Sequence, residues 1–331
     1  MQNKYDSFGW DFNKNLNLKT FCPKPFNSLT IDTYGDVYAC ICQSWLPIRL
    51  GTAYEFTSLT QALTNNIATE LQASITNGSY RYCDVKTCGF SDNGKTSIPE
   101  IKPKTVVFAM DDSCNYTCPS CREEFRFLHK GKDYEERMKL ASHVGKLISE
   151  CDDKLELVFG DGEVFASTIY RQLLSTIDTN KHTFKLQTNG SLIKENWSLV
   201  KRFETNIAHI HISVDAGTAE TYHKVRRGGQ WNKLYSNLHW LVDYTKQEQL
   251  NINIQLSFCL QSSNCMDIIA FSDLCTELNV AGEIYPIADW GTWHNFDEHA
   301  VWKSSHSLHS DMITQLQQVR DNKLLKIHGS L

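Results

Sequence analysis

The chain has 331 residues, 41% of them hydrophobic and 21% charged, which is enough for one large globular domain and a smaller one. Its formal charge of −5 offers no basic footprint for nucleic acid, and no apolar run approaches the roughly 20 residues that span a bilayer. The first ten residues lack the apolar stretch of a secretory signal. The twelve cysteines are therefore expected to stay reduced in the cytoplasm, where clustered cysteines mean metal more often than disulfides.

Residues 1–100 read as a small cysteine-rich module of a hairpin and a helix. Cys22-Pro-Lys-Pro-Phe26 leads into alternating runs joined by Tyr34-Gly-Asp36, a hairpin signal. The return strand delivers Cys40 and Cys42. A helix is predicted over about 58–76, followed by Gly78-Ser-Tyr-Arg-Tyr-Cys83 and Cys88. Cys22, Cys40, Cys83 and Cys88 make a set of four thiolates, and Cys42 can replace Cys40. Such a set suits a closed iron–sulfur cluster or a structural zinc. Residues 91–103, with two prolines and a glycine, read as a linker.

From Lys104 to about residue 290 the chain alternates short apolar runs with amphipathic ones, the pattern of repeated βα units. Strands are predicted at Thr105–Met110, Leu155–Phe159, Phe184–Thr188, Ala208–Val214, Ile252–Phe258 and Gly282–Ile287. Helices are predicted near 133–150, 167–177, 194–203, 218–246 with a break at Gly228-Gly229, and 265–278. The expected fold class is α/β, a partial (β/α)6 TIM-like barrel open on one side, over residues 101–290. Right-handed crossovers would place all six strand ends on one rim. Residues 291–331 are expected to form a helical tail, with an amphipathic stretch at Met312–Val319.

The first of these strands runs into Asp111-Asp-Ser-Cys-Asn-Tyr-Thr-Cys-Pro-Ser-Cys-Arg122. Cys114, Cys118 and Cys121 put three thiolates within eight residues. Three thiolates can wrap one iron–sulfur cluster and leave its fourth iron open, whereas four would close it. A zinc knuckle short of one ligand and a disulfide loop are the plainer readings. The second strand ends in Gly160-Asp-Gly-Glu163, where glycines let a ligand approach the backbone and Glu163 offers a carboxylate to an ammonium group. The third ends in Thr188-Asn189-Gly190, an ordinary turn by itself. On the fourth, Ser213 and Asp215 are two apart and would share a face, where hydroxyl and carboxylate can hold a ribose. His209 and His211 would lie on that face too, as buried histidines or as proton carriers. Thr218 is placed to cap the next helix. Past the sixth strand, Trp290, Trp293 and His294 can line a substrate pocket or plug the barrel. Cys151 and Cys275 fall on helices and read as buried; Cys259, at a strand end, is a candidate hydrogen donor; Cys265 has no assigned role.

The cysteine triplet resembles the C-x3-C-x2-C loop of the radical SAM superfamily, whose 4Fe–4S cluster binds S-adenosylmethionine (SAM) at the open iron. The family's residue before the third cysteine is usually aromatic and here is Ser120. The resemblance covers residues 104 to about 290. It implies that Gly160, Asp161, Gly162 and Glu163 correspond to a Gly-Gly-Glu motif that binds the methionine amino group. It likewise implies that Asn189 stands at a Thr-Asn-Gly turn of the site, that Ser213 and Asp215 lie near the SAM ribose, and that Arg226 meets the SAM carboxylate. Residues 20–90 resemble a SPASM or Twitch module, which carries auxiliary clusters and usually follows the barrel rather than preceding it.

The resemblance implies an enzyme in which a flavodoxin or ferredoxin supplies one electron and SAM is cleaved to a 5′-deoxyadenosyl radical. That radical takes hydrogen from a substrate, foremost a peptide or protein side chain, with a sugar or nucleotide as the alternative. A second, auxiliary 4Fe–4S cluster would relay an electron or anchor the substrate. The reading from another class is a non-catalytic iron–sulfur carrier or structural metal protein, against which the site residues at successive strand ends argue.

Overall fold

The structure is a computed structural model and describes residues 17–19, 21–85, 88, 97–289 and 291–328. Trp290 and residues 91–96 of the predicted linker lie outside the described residues. The chain is mixed α/β with mostly parallel strands. It divides into two compact units, one of residues 1–111, 129–161 and 168–183, the other of residues 112–128, 162–167 and 184–331.

The first unit starts with the single turn α1 (Lys24–Asn27) and the wholly buried strand β1 (Ser28–Asp32). The chain reverses at Gly35, whose φ of +81° suits a residue without Cβ. Asp32 holds the turn by accepting hydrogen bonds from the Tyr34 and Asp36 amides, each at 2.9 Å. Strands β2 (Asp36–Tyr38) and β3 (Arg49–Thr52) follow as an antiparallel meander. The helix predicted over 58–76 is two helices, α2 (Leu59–Thr64) and α3 (Asn66–Thr76). Asn65 divides them, because its side chain accepts from the Ala68 amide and caps α3.

β4 (Thr105–Ala109), rich in β-branched residues, pairs in parallel with β1. The hairpin expected in a separate module is therefore part of the same sheet. After α4 (Lys132–Ser149), β5 (Glu156–Phe159) pairs in parallel with β4, and α5 (Thr168–Thr176) follows. Strand order in this unit is β5-β4-β1-β2-β3. Its core includes Phe108, Phe159 and Tyr170, with ring centroids 4.9 and 5.2 Å apart in sequence. The Tyr170 hydroxyl donates to the Phe108 carbonyl at 3.1 Å.

The second unit contains β6 (Thr183–Thr188, from Phe184 on), β7 (Ile207–Ser213), α6 (Ala219–Val225), α7 (Trp231–Gln247), β8 (Asn253–Leu260), α8 (Ile268–Leu278), β9 (Ala281–Pro286), α9 (His309–Val319) and β10 (Leu325–Ile327). The five strands are all parallel in the order β6-β7-β8-β9-β10, so their C-terminal ends share one edge. The six predicted strands all appear, displaced by a few residues at most. β10 was not predicted, because three residues carry too little alternation to be read. The helix expected over 194–203 is a pair of 3-10 turns, Trp197–Leu199 and Lys201–Asn206.

Thr218 caps α6, accepting from the Thr221 amide. The break between α6 and α7 falls at Gly228-Gly229, with Gly228 at φ +94°. A Cβ on Gly229 would stand 2.7 Å from the Tyr222 ring and 3.0 Å from the Tyr116 ring. The glycine pair thus lets the two helices close onto the cysteine loop.

Candidate active site

The loop 112–128 is built by hydrogen bonds to its own chain and to later elements of the second unit. The Cys114 amide donates to the Arg126 carbonyl at 2.9 Å, and the Cys121 and Arg122 amides to the Cys118 carbonyl at 2.9 and 3.1 Å. Ser113, 1% exposed, accepts from the Glu163 amide through its carbonyl and from the Leu128 amide through its hydroxyl, each at 2.8 Å. The Thr117 amide donates to the Arg227 carbonyl at 3.0 Å, and Arg227 Nε returns a bond to the Thr117 carbonyl at 2.8 Å.

Each of the three loop sulfurs has a side-chain donor. Asn189 Nδ2 lies 3.7 Å from Cys114 Sγ, Arg226 Nη1 lies 3.7 Å from Cys118 Sγ, and Arg122 Nη2 lies 3.5 Å from Cys121 Sγ. The Tyr116 amide adds a second donor on Cys114 at 3.4 Å. Burial still dominates the bare thiols. It pushes Cys114 up to about 11 against the Tyr116 amide, and raises Cys118 against the charge and hydrogen bond of Arg226. Cys121 is exposed. A thiol series that runs from buried to exposed, with two guanidinium groups beside it, suits ligands that must ionise at a metal.

Arg226 ties the loop to the strand edge. Its Nη2 pairs with Asp215 Oδ2 at 2.7 Å, both side chains being nearly buried. Burial opposes the Arg226 charge, but Asp215 and Cys118 outweigh it and hold the guanidinium firmly protonated. Burial raises Asp215 despite Arg226 and the Cys259 amide, which donates to Oδ1 at 2.7 Å. Arg226 Nε is buried with no partner.

Asp215 does not continue the alternation of β7. Its φ is +57°, and the amides of Val214 and Asp215 both donate to the Ser257 carbonyl, at 3.1 and 3.0 Å. The strand ends at Ser213, so the shared face expected for Ser213 and Asp215 is lost to this kink. Ser213 stays half-buried while Asp215 turns to Arg226.

Glu163 is fully buried. Its Oε1 accepts from Thr188 Oγ1 at 2.6 Å and the Phe165 amide at 3.2 Å, and its Oε2 from the Asn189 amide at 2.7 Å. Burial raises its carboxyl, opposed by these three bonds and by Arg226. Of about four lone-pair directions on a carboxylate, one remains. Asn189 is the centre of a second network: it donates to Asn115 Oδ1 at 2.9 Å and accepts from Ser191 Oγ at 2.6 Å. Beneath the loop, the buried hydroxyls of Tyr116 and Tyr222 meet at 3.1 Å.

The structure thus brings Cys114, Cys118, Cys121, Glu163, Asn189, Asp215 and Arg226 into one network within the second unit. Gly160 and Asp161 belong to the first unit, and Gly162 sits at φ +61° just before Glu163. Trp293 stacks on His299 with centroids 4.3 Å apart, and His294 is exposed. A cavity of about 530 Å³ opens nearby, lined by Ser262, Asn295, Asp297, Lys303 and His306 among others. Neither Trp293, His294 nor any cysteine of the loop lines it. Arg122, Asn115, Ser191 and Tyr116 were missed from sequence. Only Arg122 had a signal, as a cation directly after the third cysteine.

The first unit gathers the other cysteines. Cys22 lies within electrostatic reach of Cys88, Cys40 of Cys22 and Cys88, and Cys83 of all three. Burial is the main cause that raises each thiol, taking Cys40 up to about 12. The Cys42 amide donates to Cys40. Cys22 and Cys83 pack against Phe26, Ile75 and Tyr80, and the Tyr80 hydroxyl accepts from the Cys22 amide at 2.8 Å. Among the described residues no three His, Cys, Asp or Glu side chains converge tightly enough to hold a single metal ion. A cubane spreads its thiolates more widely than a single ion does.

No protein-family profile and no curated protein matches the chain. Among solved structures it is similar to Streptococcus suis SuiB bound to S-adenosylmethionine, at 15% identity and a TM-score of 0.43, over 68% of this chain and 50% of that one. With SuiB bound to its precursor peptide SuiA the score is again 0.43, at 14% identity over 94% and 72%. A radical SAM methyltransferase from Sphaerobacter thermophilus scores 0.36 at 12% identity, over 57% and 56%. The chain thus spans about half the length of the first of these structures. Likeness at such scores carries no argument about this chain's fold or chemistry.

Proposed function

We propose that this chain is a radical SAM enzyme, with Cys114, Cys118 and Cys121 holding a 4Fe–4S cluster in a partial (β/α)6 barrel over residues 101–290. The observation that carries this reading is the donor beside every loop sulfur. Asn189, Arg226 and Arg122 would each hydrogen-bond a thiolate and offset the charge of an anionic cluster. When bound, the reduced cluster and SAM together supply a 5′-deoxyadenosyl radical, which removes a hydrogen atom from the substrate.

The chain's own residues bind, orient and shield. Glu163 has one acceptor direction left for an ammonium group, and three hydrogen bonds fix it in place. The unpartnered Nε of Arg226 is a buried donor suited to a carboxylate. Asp215 holds that guanidinium in position. Ser213 is the candidate ribose contact, and Gly162 would let the ligand pass close to the backbone. The Tyr116–Tyr222 contact and the Gly228-Gly229 break close the loop from below and keep water out.

Cys22, Cys40, Cys83 and Cys88 would hold the auxiliary 4Fe–4S cluster of the 1–100 module, and their mutual electrostatic reach supports Cys40 rather than Cys42 as the fourth ligand. These four thiols must lose their protons to bind iron, so uptake should be slower at low pH. Flavodoxin or ferredoxin would supply the electron. The sequence resemblance of the module and of Glu220-Thr-Tyr-x-x-x-Arg226 to peptide-modifying enzymes favours a peptide or protein side chain as substrate.

The test is anaerobic reconstitution with iron and sulfide, reduction with dithionite, and assay for 5′-deoxyadenosine from SAM. The expected result is about eight irons per chain, as for two cubanes, and 5′-deoxyadenosine formation that requires reductant. An iron-loaded, reduced chain that leaves SAM intact, with or without cell extract, would establish the carrier reading instead. Deuterium passing from a labelled peptide into 5′-deoxyadenosine identifies the hydrogen donor.

A further inference from the structure

Parallel sheets are ordinarily covered on both faces and read as continuous apolar runs. Strands β6 to β9 depart from that. One face carries Leu186, Ile210, Ile212, Ile254, Leu256 and Ile284, all buried. The other carries polar residues in register. Lys185, His209 and Asn253 form one row, Gln187, His211 and Gln255 the next, and Ser213, Ser257 and Glu283 a third. Cys259 and Tyr285 form the row nearest the C-terminal edge. This face runs from the exposed Gln187 and Asn253 to the buried Ser257, and its buried polar atoms cost stability unless something satisfies them.

His211 stands in the middle of this face. Its ring meets that of His209 edge-on, with centroids 6.1 Å apart. Its Nε2 is buried and has no hydrogen-bond partner. A buried polar atom without a partner requires an explanation, and an absent ligand is one. The carboxamides of the exposed Gln187 and the half-buried Gln255 flank it at the same level. Burial, His209 and Arg226 all favour the neutral imidazole, overcoming Glu283.

Two of the surrounding charged groups are engaged, while the Glu283 carboxylate acts on His211 from the next row: Arg226 pairs with Asp215 at 2.7 Å and Lys185 has a partner. An anion would be desolvated here and repelled by Glu283. Two carboxamides and a neutral imidazole offer donors and acceptors without net charge.

We propose that the Gln187–His211–Gln255 row is a binding site for an uncharged amide group of the substrate, with His211 Nε2 as its central hydrogen-bond partner. This deepens the peptide reading above, on which it rests for what happens to the bound group, though not for the binding itself. His211 is then a specificity-determining residue that favours amides over carboxylates.

The test needs neither cluster nor SAM. The full chain, with 15N-labelled histidine, is titrated with N-acetylglycine N-methylamide, and in parallel with acetate at equal concentration. The His211 ring signal is identified by its loss in His211→Asn. The amide should shift that signal saturably, and acetate should leave it in place. With His209 as the reporter, His211→Phe should weaken the amide about tenfold, the scale of one net hydrogen bond, and His211→Asn should restore part of the loss. A signal that ignores the amide, or that moves equally with acetate, overturns the proposal; the former means that water alone satisfies the ring. Wild-type chain suffices for that comparison, so a variant that fails to fold does not remove the test. Amide binding by a chain that never cleaves SAM would leave the site standing and the radical reading fallen, and the reverse result would do the opposite.

Discussion

The two cysteine groups share a residue type and differ in almost everything around it. In the loop 112–128 every sulfur has a polar side-chain donor, and burial runs from Cys118 at 6% to the exposed Cys121. In the first unit the sulfurs lie near one another, among Phe26, Ile75 and Tyr80. The loop sets side-chain donors and guanidinium groups beside its thiols; the other group sets its thiols within electrostatic reach of one another, with backbone amides donating to Cys22 and Cys40. The first arrangement suits a site that must exchange ligands and charge, and the second a site that is filled once and closed.

The largest effects should come from cysteine substitution. Cys114→Ala should abolish 5′-deoxyadenosine formation and leave about four of eight irons. Cys40→Ala should also remove about four irons but spare the loop cluster, whereas Cys42→Ala should remove none. Iron and sulfide assays on the three reconstituted variants decide the matter. Loss of all iron in Cys114→Ala would erase the distinction between the two groups.

Next in size is the buried pair behind the loop. Asp215→Ala leaves the Arg226 guanidinium without its partner, which should cost about 3–5 kcal/mol. Urea unfolding monitored at two wavelengths measures it. The change should come without displacement of the first-unit cluster, whose absorption serves as the internal control.

The smallest effect is one of pH, and it has a counterpart in each unit. His182 accepts from the Leu155 amide at 3.2 Å, and burial lowers it from 6.5. His211 is lowered to about 4, with burial again the main cause. In both cases the unfolded chain takes up a proton at a higher pH than the folded one. Stability is therefore complete above pH 6.5 and falls as the pH drops toward the folded value, by up to about 1.4 kcal/mol per pH unit and group. For His211 the sum down to pH 4 is roughly 3 kcal/mol. His211→Asn should flatten the profile of thermal midpoint against pH over 4–6.5. A slope that survives in both His211→Asn and His182→Asn means that other groups carry it.

Much of this was legible in the residues. Alternation and β-branched runs marked six of the strands, the Gly-Gly pair marked the α6–α7 break, and Thr218 announced its cap. The failures have local causes. Asn65 was read as helix interior, yet its side chain competes for backbone donors and starts a new helix. The kink at Asp215 needed a neighbouring strand, since both amides there lean on Ser257. The parallel pairing of β1 with β4 spans more than seventy residues and leaves no trace in either segment alone. The loop donors Asn189 and Arg226 come from distant elements, so spacing along the chain revealed the sulfurs but not what lies beside them.

The bonds between Thr117 and Arg227 reach across 110 residues. At roughly 5–20 residues per second of synthesis, the cysteine loop leaves the ribosome about 5–20 s before the segment that anchors it. During that interval its three thiols have no Arg226 beside them and no Tyr222 beneath. Metal delivered to the nascent chain would meet an unshaped loop, so insertion of the proposed cluster would follow release of the second unit.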